Sequence, residues 1–161
     1  MASYWYINYF NANDIPDTHL KLNMTELYKQ AAAIPFREKD NNLEILLITS
    51  RSKKKWIIPK GLIDPGDSAP FTALKETIEE AGVKGEVFPE SIGTFEYLKW
   101  GGICKVSVFA MLVDTVMDAW EEMDFRKRRW FDIEDAIKRV KPTEVKSLIR
   151  IFGSNRINKN L

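Results

Sequence analysis

The chain has 161 residues, 45% hydrophobic and 29% charged, enough for one domain with a single core and outside the compositions of disordered or collagen-like chains. Its 24 Lys and Arg nearly cancel its 23 Asp and Glu at a net charge of +1, so no global field marks it as a highly basic nucleic-acid binder. A single cysteine, Cys104, excludes an intramolecular disulfide, and with a single histidine, His19, the ligands of a structural Cys/His zinc site are missing; a catalytic metal would need carboxylates.

No apolar run approaches the ~20 residues of a membrane span, and the N-terminus lacks the basic, apolar and small-residue succession of a secretory signal. With the lone cysteine, this favours the cytoplasm. Residues 1–27 stand apart as an extension in which Tyr4, Trp5, Tyr6, Tyr9 and Phe10 crowd together ahead of a turn-rich stretch around Pro16. Such a segment must cover apolar surface or stay adhesive. We expect it to lie on its own domain, with a dimer contact or a substrate-facing flap as alternatives. The chain is read as extension 1–27, domain 28–153 and tail 154–161, in a monomer or homodimer.

The body opens with two β-rich stretches, Lys29 to Glu38 and Leu43 to Thr49, around the polar turn Lys39-Asp40-Asn41-Asn42. A basic loop from Arg51 to Lys55 leads through Trp56 to Pro59, Lys60 and Gly61. From Ser68 to Ala81 the period becomes helical, with Phe71, Leu74, Ile78 and Ala81 on one apolar stripe. Ser68 is a fitting N-cap, Pro70 is tolerated in the first turn, and Gly82 supplies the stop. Strand-like runs follow at about Glu86 to Lys99 and Lys105 to Val113, joined across Trp100-Gly101-Gly102, then a short strand at Arg128 to Phe131. Helices at Ile133 to Val140 and Thr143 to Phe152 close the chain. Strands on both sides of a central helix predict an α+β or α/β sandwich.

On the central helix Glu76, Glu79 and Glu80 fall within about 100° of one another, away from the apolar stripe. Their repulsion would be relieved by a hard divalent cation, and Mg²⁺ takes oxygen ligands while leaving positions for water and phosphate. The plain alternative is a solvated acidic face. The preceding loop, Pro59 to Asp67, favours the metal: it sets turn formers, a lysine and the bare backbone of Gly61 just ahead of the acids.

Gly61, five residues, Asp67, seven residues, then Lys75 to Val83, reading Lys-Glu-Thr-Ile-Glu-Glu-Ala-Gly-Val, resembles the Nudix box. Gly61, Glu76, Glu79, Glu80, Gly82 and Val83 match its fixed positions, while Asp67 replaces Glu, Lys75 replaces Arg and Thr77 replaces an aliphatic residue. From about Tyr28 to Phe152 the chain also looks like the diphosphoinositol polyphosphate phosphohydrolases and the related diadenosine polyphosphate hydrolases, most of all at Arg126 to Lys138. Two positions depart from the animal inositol enzymes. Lys60-Gly61-Leu62 stands where those carry a triple glycine, and Gln30 where they tend to carry a second basic residue.

The resemblance implies a Nudix fold, an α/β/α sandwich around a mixed β-sheet with a catalytic loop-helix-loop, and Mg²⁺-dependent hydrolysis of phosphoanhydrides, with Mn²⁺ as a substitute. It implies Glu76 and Glu80 as metal ligands with the Gly61 carbonyl, and Glu79 as a ligand or the general base, with Glu76 also counted among the catalytic carboxylates. A ligand from outside the box is sought at Glu122, with Glu121 and Glu96 as alternatives. For phosphate the candidates are Lys60, Arg51 and Lys55 from the first basic run, Arg126 and Arg128 from the second, and Lys105. In an alternating strand either Arg126 and Arg128 or Lys127 and Arg129 would face the site. The expected substrates are diadenosine polyphosphates or diphosphoinositol polyphosphates. The alternatives are RNA 5′-end or cap hydrolysis and a Nudix-fold binding module with a weakened box; +1 net charge gives the first little support, and the three intact glutamates argue against the second. Trp56 and Trp100 are more readily core residues than base-stacking ones.

Overall fold

The computed structural model describes residues 26–52 and 54–159; the expectation for the aromatic extension falls on residues outside these. The elements in chain order are β1 (Leu27–Lys39), β2 (Asn42–Thr49), β3 (Trp56–Ile57), β4 (Lys60–Leu62), α1 (Ala69–Ala81), β5 (Val83–Lys99), β6 (Gly102–Val116), β7 (Arg128–Asp132), α2 (Ile133–Arg139) and α3 (Thr143–Lys159). The strands form one sheet in the order β3-β2-β1-β6-β5, with β4 also on β1 and β7 on β2. β1 runs parallel to β6 and antiparallel to β2 and β4, so the sheet is mixed.

Alternation along β1 divides the core between two faces. Ala32, Ile34 and Phe36 point to one side, where Ala136, Ile137, Val145, Ile149 and Phe152 of α2 and α3 cover them. Ala31 and Ala33 point to the other, against Ala73 of α1 and Phe109 and Met111 of β6. Helices on both faces make the α/β/α sandwich that the sequence predicts. Alanines at 31, 33 and 73 let α1 lie close over the strand, which brings its carboxylates down to β4.

Two hairpins rest on left-handed residues at their tips. Asp40 (φ 51°) and Asn41 (φ 61°) link Lys39 to its partner Asn42, while Trp100 (φ 53°) and Gly101 (φ 73°) link Lys99 to Gly102. Both central residues with positive φ match the twist of the flanking strands. In α1, the Phe71 N–H donates to Ser68 Oγ at 3.3 Å. Gly82 (φ 63°) closes the other end with its N–H on Ile78 O at 3.0 Å.

Three expectations change in detail. The stretch through Trp56 and Lys60 holds two short strands, β3 and β4, rather than a loop alone. β5 begins at Val83 instead of about Glu86, passing Pro89 through register shifts between Val87 and Ser91 and between Ser91 and Gly93. The third concerns the burial of α1. Its fully buried residues are Thr72, Ala73, Thr77, Glu80 and Ala81, whereas Phe71 of the predicted stripe is 53% exposed. The helix turns a mixed face of small and polar side chains to the sheet, because close approach to Ala31 and Ala33 suits small residues better than Phe71. Glu80 thus lies inside, not on a solvated acidic face.

Candidate active site

The carboxylates of α1 meet β4 at Gly61. A Cβ placed on Gly61 would fall 2.1 Å from Glu76 Cδ and 2.1 Å from its Oε1. Only glycine leaves Glu76 in this position: the constraint is the close approach of the carboxylate, not the backbone angle. Glu76 makes no hydrogen bond or ion pair with any described residue. Burial, then the charges of Glu80 and Glu79, raise its pKa to about 7. A half-buried carboxylate pressed on bare backbone, with no partner among the described residues, suits a cation.

Glu80 is 7% exposed and held on both oxygens. Lys60 N–H donates to its Oε2 at 3.0 Å, and Arg126 Nη2 donates to its Oε1. Burial raises its pKa, while the Arg126 charge and the Lys60 N–H act against that rise. Each carboxylate oxygen has a second lone pair for another partner. Glu79, one residue earlier, is less enclosed; burial and the Glu121 charge raise its pKa too.

Arg126 is the joint of the site. Buried at 8% exposure, it donates to Glu80, to Glu122 Oε2 and, at 3.0 Å, to Thr49 O. Arg51 reaches the same Glu122 from the opposite side, with Nε at 3.3 Å from Oε2 and Nη2 on Oε1. Burial pushes the Glu122 carboxyl up, but the bonds from Arg51 and Arg126 outweigh it and hold its pKa below the usual value. The segment before β7 is fixed on the end of α1 by Glu122 N–H to Glu79 O at 3.1 Å.

The structure brings Glu76, Glu79, Glu80, Gly61, Lys60, Glu122, Arg51 and Arg126 together. Arg128 does something else: it donates to Ala81 O and Gly82 O at 2.9 Å each and to Met117 O at 2.6 Å, and stacks on Trp120 at 4.0 Å. It thereby satisfies carbonyls at the end of α1. Of the two alternating pairs, Arg126 and Arg128 face inward, and Lys127 and Arg129 are exposed. Lys55 is exposed in the turn, its N–H on Ser50 Oγ at 3.0 Å. Lys105 is exposed on β6, paired in register with Glu96 of β5 and Lys29 of β1. Trp56 packs edge-on to Phe131 at 5.0 Å, and Trp100 is 53% exposed.

Asp64 as a partner of Lys75, and Tyr97 beneath Lys60, escaped the sequence reading. Lys75, in the arginine position of the box, bonds Asp64 Oδ2 at 2.6 Å and Asp67 Oδ2 at 3.5 Å, so both aspartates brace the loop to the helix. Asp64 had no signal beyond its place in the loop. Lys60 has its ammonium 5.3 Å from the Tyr97 ring centroid. Burial holds the Lys60 pKa down against the attraction of Glu80, and the neighbouring Lys99 and Arg126 charges lower it further.

The donor set is all oxygen and suits a hard divalent cation. Among the described residues no three Asp, Glu, His or Cys side chains already converge on one point. The reason is visible: Glu80 is turned onto Arg126 and the Lys60 N–H, leaving Glu76 beside the backbone of Gly61. The residues fit such a cation through Glu76, Glu80 and that backbone, with Glu79 adjoining.

Comparison with known proteins gives this geometry its family. The NUDIX domain model matches residues 27–151. Diphosphoinositol polyphosphate phosphohydrolase 3-alpha of Mus musculus is 34% identical over 152 residues, covering 87% of this chain and 92% of that protein. Diphosphoinositol polyphosphate phosphohydrolase 2 of Rattus norvegicus is 33% identical, with 87% and 83% covered. Among solved structures, a C. elegans Ap4A hydrolase binary complex superposes with a TM-score of 0.65 at 27% identity, covering 79% of this chain and 96% of that one. The chain belongs to the Nudix family and is a Nudix hydrolase, a pyrophosphohydrolase homologous to these enzymes. Nudix hydrolases generally use divalent metals. No helix among the described residues is long and apolar enough to cross a membrane.

Proposed function

We propose that this enzyme is a Mg²⁺-dependent phosphoanhydride hydrolase acting on highly phosphorylated small molecules, diphosphoinositol polyphosphates or diadenosine polyphosphates, in the cytoplasm. The observation that carries the reading is the Glu76 carboxylate, without a partner among the described residues, packed on the bare Gly61 backbone beside Glu79 and Glu80. Glu76, Glu80 and the Gly61 carbonyl would hold the cation, which supplies positive charge against the phosphate oxygens and makes water more acidic. Glu79, the least enclosed of the three, takes a proton from the attacking water; its raised pKa suits a group that must accept one near neutral pH.

Arg51 supplies positive charge at the mouth of the site, where preorganised donors stabilise the charge on the transferring phosphoryl group, and Lys60 gives its N–H to Glu80 while its ammonium serves a phosphate outside the broken bond. Arg126 and Glu122 act on Glu80 by position: the Arg126 fork links the two carboxylates and fixes Glu80. Arg128 builds the end of α1, and Lys55 and Lys105 serve as outer charges for an incoming polyanion. The likeness to phosphohydrolases named for diphosphoinositol polyphosphates and to an Ap4A hydrolase supports the substrate class. A panel of diphosphoinositol polyphosphates, diadenosine polyphosphates, a nucleotide sugar and capped RNA, incubated with Mg²⁺ and scored by product identity, tests it. Cleavage of the first two groups is expected. Turnover of the nucleotide sugar alone would overturn the substrate assignment.

A further inference from the structure

We infer that Lys60 and Lys99 form an anion subsite on the sheet face opposite α1, which holds a phosphate of the substrate that is not part of the broken bond and selects for a polyphosphorylated ring. Directly paired residues in a sheet share a face. Lys60 pairs with Ala32, Tyr97 and Tyr28 both pair with Cys104, and Lys99 pairs with Gly102. Ala32 and Cys104 belong to the core under α2 and α3, so both lysines project to that side. Lys60 therefore has two roles. Its N–H bonds the Glu80 carboxylate from the edge of the metal cradle, while its side chain passes to the other face.

The floor beneath the lysines is rigid. Gln30 is 3% exposed and Tyr97 4%, and Tyr97 O–H donates to Gln30 Oε1 at 2.7 Å. The Lys60 ammonium stands over the Tyr97 ring, and the Lys99 ammonium lies 4.0 Å from the Trp100 ring centroid. No carboxylate among the described residues comes within ion-pair distance of either ammonium. Both ammonium groups have lost hydration and the Lys99 charge acts against Lys60, while Glu80, beyond ion-pair distance and already bonded to Arg126, offsets this only in part. A phosphate monoester supplies the missing charge and accepts from both lysines.

The pair also discriminates. A substrate with phosphates distributed around a ring presents monoesters to both sides of its anhydride, whereas a dinucleoside chain presents a neutral nucleoside at its far end. Trp100 is poorly placed to stack on such a base, since the Lys99 ammonium covers its ring and Tyr28 meets it edge-on at 5.4 Å.

This inference rests on the hydrolase reading above, and two readouts separate them. Steady-state kinetics of full-length Lys99→Met with Mg²⁺ compare a diphosphoinositol polyphosphate with diadenosine tetraphosphate. The ratio of the two kcat/KM values should fall by about tenfold or more, through KM for the ring substrate, and Lys99→Arg should restore most of it. Lys138→Met, which removes an exposed charge on α2, should leave the ratio as it is. Calorimetry with inositol hexakisphosphate, which has no anhydride to cleave, should show binding to the wild type weakened about tenfold or more in Lys99→Met. If the wild type hydrolyses neither substrate, the substrate reading above fails and calorimetry still decides the subsite. Unchanged hexakisphosphate binding in Lys99→Met, or equal losses on both substrates, overturns the subsite.

Discussion

Gly61→Ala separates the metal cradle from the fold with a single methyl group. The new Cβ would stand 2.1 Å from Glu76 Cδ, where ordinary contact begins at about 3.4 Å, so the carboxylate must retreat by about 1.3 Å. Glu76 is the end of a flexible side chain with no described hydrogen bond to lose, so it can move without unfolding anything. Stability should change by less than about 1 kcal/mol, a few degrees in Tm for a domain of this size. Activity is different, because a displacement of about 1 Å in a catalytic constellation costs on the order of 100-fold in rate, and Mg²⁺ demands near-ideal ligand positions. We expect kcat/KM to fall about 100-fold or more, with a higher Mg²⁺ concentration at half-maximal rate. The assay is phosphate release against Mg²⁺ concentration, beside thermal unfolding of the same preparation. In a variant that folds normally and keeps its rate within about fivefold, the Gly61–Glu76 contact would have no part in catalysis.

Glu79→Gln should lower kcat by about 100-fold or more while Mg²⁺ affinity changes little, the pattern of a lost base; a large loss of metal affinity would make Glu79 a ligand. Arg128→Met removes two bonds to carbonyls at the end of α1 and one to Met117 O just after β6 and should cost about 2–4 kcal/mol in denaturant unfolding, with KM for polyphosphate unchanged; a raised KM at full stability would make Arg128 a phosphate ligand. Glu76 has a folded pKa of about 7 against 4.5 unfolded, so the metal-free fold binds the extra proton and its stability contribution is present below about pH 4.5 and lost as pH rises through 7. Allowing for solvent screening, metal-free protein should lose about 1–2 kcal/mol between pH 5 and 8 from this group. Glu76→Gln should flatten that slope and Mg²⁺ should reverse it; a metal-free protein that becomes more stable across that range would contradict the assignment.

The sequence showed most of the fold because its local signals agreed with one another. Ser68 and Gly82 bounded α1, and Asp40-Asn41 marked a hairpin, since capping and left-handed turns depend on neighbours in the chain. It misjudged part of the buried face of α1, since Ala81 and Leu74 of the stripe do pack on the core but Phe71 does not. Phe71 and Ile78 carry the hydrophobic period, but the distance to β1 is set by Ala31 and Ala33, and no helical pattern reports a strand some forty residues away. The Glu76–Gly61 meeting was legible through motif spacing. Arg126 and Arg128 read as a basic cluster open to phosphate, yet their guanidinium groups are drawn inward to Glu80 and to the carbonyls of α1. Charge in a sequence does not show which acceptors the fold brings to it. Lys99 was invisible for the same reason, its place beside Lys60 existing only through the register of β4, β1, β6 and β5.

Cation binding by wild-type and Glu76→Gln protein, followed by the electron paramagnetic resonance of Mn²⁺ at pH 8, bears most directly on the carboxylate cradle. Glu76→Gln keeps the side-chain shape and breaks no described hydrogen bond, so a change reports the carboxylate itself. The expected result is one or more bound ions in the wild type and affinity lower by about 100-fold or more in the variant, beyond the roughly 10–100-fold typical of outer partners, with phosphoanhydride hydrolysis lost in step. Equal Mn²⁺ affinity in the two proteins, with hydrolysis intact, would contradict the assignment of Glu76, Glu80 and Gly61 as the seat of the catalytic metal.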